Sequence, residues 1–285
     1  MIPKRSFYFR HLLISFLRDI DVKGFRKLSI LAPKFLIPNA NKIGNYILKT
    51  INGYHLLIDP KNDSGVERSL HETGTYEKGM LHFLDQHLKN GDVFIDVGAN
   101  IGLLSLHAAK SAGNKGKVLA FEAHPETVKI LETNKALNQN DNIQIYPFAL
   151  GSEKTKALIF DDSESNRGGA SMVRSFSNSG IEINVERLDD ILVTSIIPKI
   201  IKIDVEGFEL NVLKGAKRTI QEAKPILLIE ASDIKEKNEE IIAFLMQIHP
   251  YKICKFSKGK ERKSKWIEIA SFIDIPLHDN LIFLP

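Results

Sequence analysis

The chain has 285 residues, and 43% hydrophobic against 26% charged side chains is the balance of a folded globular protein, which excludes wholesale disorder. A net charge of +4, from 39 basic and 35 acidic side chains, is too mild to indicate a nucleic-acid binder. The single cysteine, Cys254, excludes a disulfide framework, a cysteine-rich zinc site and a CxxC redox pair, and fits a reducing, cytoplasmic setting.

The positive charge is concentrated at the start of the chain. Residues 1–49 hold ten basic and two acidic side chains, net +8, which leaves the remaining 236 residues at −4. Here Phe9, Leu12, Leu13, Phe16, Leu17 and Ile20 recur at helical spacing, with Lys4, Arg5, Arg10 and Arg18 elsewhere around the wheel. The apolar run is far shorter than the roughly 20 residues of a spanning helix. No small-residue cleavage site follows it, so a secretory signal is not expected. A helix docked on its own domain or on a second subunit is the first expectation. Peripheral association with a membrane is the second, because a basic amphipathic helix suits anionic headgroups.

Pro33, Pro38 and the segment 39–45, which holds Gly44, make a joint after this basic region. Residues 1–50 therefore read as a basic N-terminal helical extension, and 51–285 as the main domain, with an approach segment over 51–91 and a core over 92–285. Two strands are predicted over 47–58 around the turn Asn52-Gly53, and a helix over 80–88 is expected to stop at Asn90-Gly91. From Asp92 short apolar runs alternate with helical stretches: strands over 93–97, 118–122, 143–148, 200–205 and 226–230, helices over 103–111, 126–137, 209–223 and 236–246. That rhythm predicts a mostly parallel sheet with helices on both faces. A polar, Gly/Ser-rich stretch over 161–180 interrupts it. The end shifts to strands over 251–256, 266–269 and 281–284, which implies antiparallel C-terminal strands.

The strand over 93–97 runs into Gly98-Ala99-Asn100-Ile101-Gly102 and then a helix. Gly98 and Gly102 let the backbone approach a ligand where a Cβ would obstruct it. Asn100 tolerates left-handed geometry, and the amides at the helix start favour an anionic group. The pattern is D-x-G-x-N-x-G rather than the GxGxxG of a dinucleotide fold, and Asp96 suits an amino group better than a pyrophosphate. Glu122 ends the next strand, 24 residues after Gly98, where an acid can accept hydrogen bonds from the hydroxyls of a ribose. In Lys202-Ile203-Asp204-Val205-Glu206-Gly207, alternation puts Lys202, Asp204 and Glu206 on one side near a strand's carboxyl end, the edge at which open α/β sheets bind ligands. Three charges there need partners or a ligand. A Lys–Asp pair beside a solvated Glu206 is the bland alternative. Glu230 ends the following strand and reaches the same edge, to contact substrate or to cap a helix.

These features together resemble the FkbM family of methyltransferases. The resemblance rests on 92–102, 121–125, Phe148-Ala149-Leu150-Gly151, Leu188-Asp189-Asp190 and 201–215, and it covers roughly Gly53 to the C-terminus. The combination of Asp-Val-Gly-Ala-Asn-Ile-Gly with Lys-Ile-Asp-Val-Glu-Gly is specific; either alone would suggest only a generic Rossmann-like methyltransferase. The resemblance implies a Rossmann-like class I methyltransferase fold, with S-adenosylmethionine as cofactor and O-methylation of a sugar, glycan or related secondary metabolite. It implies that Asp96, Gly98, Ala99, Asn100 and Gly102 surround the methionine part of the cofactor. Glu122 would hold the ribose with Ala123 beside it, Phe148, Ala149 and Leu150 would flank the adenine, and Tyr76 and Glu77 would close the methionine end. Asp204 would lie near the reactive methyl, with Glu206 and Lys202 at the rim. Asp204 is the first choice of general base and Glu206 the second.

The alternatives are a catalytically degenerate scaffold and an N-methyltransferase. A nicotinamide-dependent oxidoreductase is disfavoured by the missing GxGxxG and by the lack of a Tyr-x-x-x-Lys relay. No metal is assigned: Asp204, Glu206 and Glu230 could offer oxygen ligands to magnesium, but strand-end acids are common without one. His107 is expected to pack in its helix and His124 to lie in a surface loop. The polar segment 163–171 is either a cover for the acceptor or a plain loop, and the basic run 255–265 reads as a solvated hairpin turn rather than a nucleic-acid contact. The partner expected is a small-molecule or glycan acceptor.

Overall fold

The computed structural model describes residues 4–20, 25–160, 180–276 and 279–285; the polar segment 163–171 lies outside them. The chain opens with α1 (Lys4–Asp19) and α2 (Phe25–Leu36), a hairpin of β1 (Tyr46–Lys49) and β2 (His55–Ile58), and two helices, α3 (Val66–Thr73) and α4 (Lys78–His87). Strands and helices then alternate as β3 (Val93–Val97), α5 (Leu103–Ala112), β4 (Lys117–Phe121), α6 (Pro125–Asn138) and β5 (Ile143–Tyr146). A small sheet of β6 (Ala149–Leu150), β7 (Thr155–Ile159) and β8 (Ile181–Glu186) follows. The rest is α7 (Leu188–Ile191), β9 (Ile200–Ile203), α8 (Glu209–Gly215), α9 (Lys217–Ala223), β10 (Ile226–Glu230), α10 (Lys235–Ile248), β11 (Lys252–Phe256), β12 (Trp266–Glu268) and β13 (Asn280–Leu284).

The main sheet has eight strands in the order β12-β11-β13-β10-β9-β3-β4-β5. The five from β10 to β5 are parallel, whereas β13 runs antiparallel to β10 and β11, and β12 antiparallel to β11. This is the Rossmann-like class I arrangement that the sequence resemblance implies. Alternation sorts the strand residues between two cores. Phe94, Val118, Ala120, Ile200 and Leu228 pack with residues of α4 and α5 on one face. Ile95, Val97, Leu119, Ile201 and Leu227 pack with residues of α8, α9 and α10 on the other. A sheet covered on both faces needs near-continuous apolar strands, and these segments supply them. The chain order reverses between β3 and β9, and at such a switch point the loops leaving the two strands diverge and open a crevice at their carboxyl ends.

The β1–β2 hairpin crosses residue 50 and docks on α6. Asn134 and Asn138, one helical turn apart, accept the amides of Leu57 (2.6 Å) and His55 (2.9 Å) through their side-chain oxygens. His107 of α5 packs beneath α4, within hydrogen-bond distance of Tyr54 Oη and the Leu81 carbonyl, each at 3.0 Å. The helix expected over 209–223 is in fact two, broken at Ala216, and the cause lies elsewhere in the sequence. The buried Asp189 carboxylate accepts the amides of Arg218 (2.8 Å) and Thr219 (2.9 Å) and the Thr219 hydroxyl (2.8 Å). A continuous helix would have turned those amides back to the carbonyls of 214 and 215; Asp189 caps a new N-terminus instead. The stop of α4 also differs: Leu88 is the extended C-terminal residue, and Gly91 belongs to the turn before β3.

Helix α1 docks on the domain, but not through its apolar stripe. Phe7, His11, Ile14 and Ser15 face inward, while Phe9, Leu12, Leu13 and Phe16 stay in solvent. The reason is polar: a ring nitrogen of His11 donates to the His71 carbonyl at 2.8 Å, and Lys78 reaches back to Ser15 Oγ at 2.9 Å and to Asp19.

Replacing Asp189 by alanine is expected to lower stability by about 1–2 kcal/mol through loss of the cap, read as a shift of the urea midpoint, without weakening ligand binding at the sheet edge. An unchanged midpoint would show that the cap is not what stabilises α9.

Candidate active site

A crevice opens over the carboxyl ends of β3, β4, β9 and β10. At its floor the chain leaves β3 in a turn so tight that the Phe121 carbonyl accepts both the Gly98 and the Ala99 amides at 3.0 Å. Gly98 has φ 78°, and a Cβ there would sit 1.9 Å from the Asp204 carbonyl oxygen. Gly102 has φ 92°, and its Cβ would meet Leu131 Cδ1 at 2.3 Å. Gly98 is therefore dictated by the approach of neighbouring backbone as well as by its conformation, and Gly102 by its left-handed backbone, with only a side-chain end beside it. Asn134 holds the same loop from α6, donating to the Ile101 carbonyl at 2.8 Å.

Glu122 anchors the turn from the next strand. Its carboxylate accepts the Asn100 amide (2.8 Å) on one oxygen and the His124 amide (2.9 Å) on the other. Burial raises its pKa, and those two amides oppose the rise by favouring the charged form. His124, expected in a surface loop, is buried at the start of α6, because this amide contact draws the chain inward.

The charged centre is built on register. Asp96 on β3 pairs with Lys202 on β9, so both point to one face. Lys202 is buried; its ammonium donates to the Gly98 carbonyl at 2.9 Å and lies 3.6 Å from Asp96 Oδ1 and 3.3 Å from Asp204 Oδ2. Ser105 donates to the other Asp96 oxygen at 2.6 Å, while Asp96 Oδ1 has no hydrogen-bond partner. Burial raises the Asp96 pKa against the pull of Lys202. The same ammonium, with that of Lys260, holds Asp204 far below the usual carboxylate range despite burial.

A second ion cluster closes the other wall. Lys260 Nζ lies 3.0 Å from Glu77 Oε1 and 2.9 Å from Glu230 Oε1. Its backbone is pinned as well: the amide donates to Asp279 Oδ1 at 3.0 Å, and the carbonyl accepts the Gly79 amide at 2.8 Å. Burial and the charge of Asp204 push the Glu230 pKa up to about 9. Glu230 thus holds a proton at neutral pH; it is hydrogen-bonded to Asp204, and its Oε1 accepts from Lys260. Carboxylate oxygens of Asp204, Glu206 and Glu230 lie within 4.8 Å of one another, and Lys202 and Lys260 supply positive charge to this group. Among the described residues, five that are not glycine have positive φ, and three of them, Glu77, Asn100 and Glu206, line the crevice. Left-handed backbone costs roughly 1–2 kcal/mol per such residue, so the fold holds these side chains in place at some expense.

Every residue expected at the site except Asp96 lines this single crevice. Asp96 sits beneath it, fully buried under Lys202 and Ser105. Glu230, open between substrate contact and capping, is on the wall. Lys260 was missed: its run 255–265 read as a solvated turn, yet the chain folds back so that this one lysine enters the crevice. Nothing in the local sequence separates Lys260 from Lys258 or Lys263; the signal lies in Asp279 and Gly79, which fix the turn from a distance.

The residues 96–257, more than half of the chain, match the family model of the methyltransferase FkbM domain. The chain belongs to that family, and so its class is that of the methyltransferases. It is similar to the hexuronic acid methyltransferase AglP of Haloferax volcanii, 28% identical over 155 residues that cover 53% of this chain and 61% of that one. It is also similar to methyltransferase sdnD of Sordaria araneosa, 27% identical over 162 residues that cover 45% of this chain and 62% of that one. The chain thus spans about three fifths of the length of these curated relatives. Among solved structures, an FkbM methyltransferase from Methylobacillus flagellatus is 19% identical with a TM-score of 0.47, over 75% of this chain and 52% of that one.

The Glu230 proton sets a pH dependence. In the unfolded chain this side chain ionises near its ordinary 4.5, whereas in the fold it stays neutral up to about 9. Its contribution to stability is complete below 4.5 and is lost as pH rises toward 9. Glu230→Gln mimics the neutral acid, so the variant is expected to gain stability relative to the parent between about pH 5 and about pH 8 in urea titrations. A difference between the two that does not move with pH would mean that Glu230 is ionised in the fold.

Proposed function

We propose that this chain is an S-adenosylmethionine-dependent O-methyltransferase acting on a hydroxyl of a sugar, glycan or related metabolite. The observation that carries the reading is the crevice at the β3/β9 switch point in a chain of the FkbM family: a glycine turn that leaves no room for a Cβ, an acid at the end of β4, and a buried acid–lysine centre beside them. These residues fit the cofactor. The backbone of the Gly98–Gly102 turn lines the crevice directly, and Glu122 keeps acceptor capacity beyond its two amide contacts for ribose hydroxyls. Phe148, Ala149 and Leu150 offer an apolar wall for a purine. Acids outnumber cations around the crevice, which favours a positively charged ligand.

When bound, S-adenosylmethionine supplies an electrophilic methyl carried on a sulfonium. The chain's own residues supply position and a proton acceptor. Asp204 is kept ionised by Lys202 and Lys260 and is oriented by the hydrogen bond to Glu230. So weak a base does little for a free alcohol. It suffices for a hydroxyl that is already giving its electrons to the methyl, because that proton becomes strongly acidic as the new C–O bond forms. Most of the acceleration then comes from holding the acceptor oxygen in line, which removes an entropic barrier. Glu206, on the left-handed turn after β9, would bind acceptor at the rim, and Tyr76, on the approach segment, would close the methionine end of the cofactor; both line the crevice. The relative that acts on hexuronic acid favours a sugar over other hydroxyl compounds as the acceptor class.

Two substitutions separate binding from turnover. Asp204→Asn is expected to lower turnover by about 100-fold or more, with cofactor affinity in calorimetry nearly unchanged. Glu122→Ala is expected to weaken that affinity by roughly tenfold or more, since it frees the Asn100 amide and removes the ribose acceptor. Product mass spectrometry with labelled methyl donor and a panel of glycans and nucleotide sugars reads the reaction itself. Full turnover in Asp204→Asn would remove Asp204 as the base, and undiminished affinity in Glu122→Ala would remove the ribose assignment.

A further inference from the structure

We propose that the outer face of the α1–α2 pair is a docking surface for a membrane that carries anionic lipids. The described residues of these two helices expose Phe9 (71%), Leu12, Leu13 and Phe16 (63%) on α1, and Leu28, Ile30, Leu31 and Phe35 (85%) on α2. Eight large apolar side chains exposed on two adjacent helices are far denser than the scattered hydrophobics of an ordinary surface. On α1 they fall at i, i+3, i+4 and i+7, one continuous stripe.

That stripe is not a by-product of docking on the domain. The fold uses the opposite side of α1: Phe7 and Ile14 pack with Ala32 and Ile37 of the α2 segment, while His11 and Ser15 bond to residues 71 and 78. The helix therefore carries two apolar sides, and its own domain consumes only one.

Charge decides what covers the other. The segment 1–49 is net +8, with Arg10 and Lys34 exposed among the apolar residues. Two copies meeting face to face would bring two such segments together and repel. An anionic lipid surface attracts them, and basic residues around an apolar face that sinks into the headgroup region are what an interfacial helix requires. Neither helix is long and apolar enough to cross a membrane, so the pair lies on the surface. The same helix buttresses the crevice: Arg18 pairs with Glu261 at 3.8 Å and Asp19 with Lys78, next in sequence to the wall residues Lys260 and Glu77. Lipid binding by these helices is measured without turnover and does not depend on methyl transfer.

The test is co-sedimentation of the full chain with vesicles of phosphatidylcholine alone and of phosphatidylcholine mixed with phosphatidylglycerol. The chain is expected to bind the mixed vesicles at least about tenfold more tightly than the neutral ones, and to be released by salt. The triple variant Phe9→Ser, Phe16→Ser, Phe35→Ser is expected to lose about tenfold or more of that binding with its melting temperature unchanged. Should the triple variant melt early, Phe35→Ser alone, at the most exposed position, serves with a severalfold loss expected. No binding of the parent chain to mixed vesicles, or equal binding by a folded variant, would overturn the proposal. So would a parent chain that dimerises without lipid through these same phenylalanines, since a second copy would then be the occupant.

Discussion

The buried ammonium of Lys202 is the constraint around which the candidate site is arranged. An uncompensated charge at that depth would cost several kcal/mol, so the fold must bring acceptors to it. Three are brought from two segments: Asp96 and the Gly98 carbonyl from the end of β3, across the β3–β9 register, and Asp204 two residues on along β9's own exit. Meeting that requirement fixes the relative height of β3 and β9, and with it the spacing of their two loops. The Gly98 turn and the Asp204 carbonyl are then so close that no side chain fits between them. One electrostatic demand thereby shapes the floor of the crevice.

The second wall follows the same logic from the other side of the molecule. Lys260 is held by Asp279 and by Gly79 through its backbone, and it draws Glu77 and Glu230 to its side chain. Two lysines and an acid that keeps its proton allow Asp204 to remain ionised among other carboxyl groups. A crevice made this way is fixed before any ligand arrives, and the left-handed backbone at Glu77, Asn100 and Glu206 is part of the cost of that preorganisation.

The middle of the fold was legible because its information is local. The strand over 93–97, the glycine turn, Glu122 and the charged strand end over 202–206 are each read from neighbouring residues, and parallel strands with helical crossovers then force them to one edge. What stayed hidden depends on distant partners. Asp189 breaks a helix that the pattern over 209–223 presents as continuous, and its carboxylate comes from almost 30 residues upstream. Lys260 enters the crevice from a run of similar lysines for reasons written at 79 and 279. The stripe on α1 is legible as periodicity, but which side of the helix docks is settled by His11 and Ser15, polar residues that a count of apolar positions ignores. His124 is buried by its backbone amide, a group that no side-chain pattern reports.

The central claim is that the crevice over β3 and β9 is where S-adenosylmethionine binds. Diffraction from crystals grown with S-adenosylhomocysteine tests it most directly. Ligand density is expected with the ribose against Glu122, the adenine beside Phe148, Ala149 and Leu150, and the amino-acid end over Gly98. Density elsewhere on the molecule, or a well-ordered crevice left empty at saturating ligand, would contradict it.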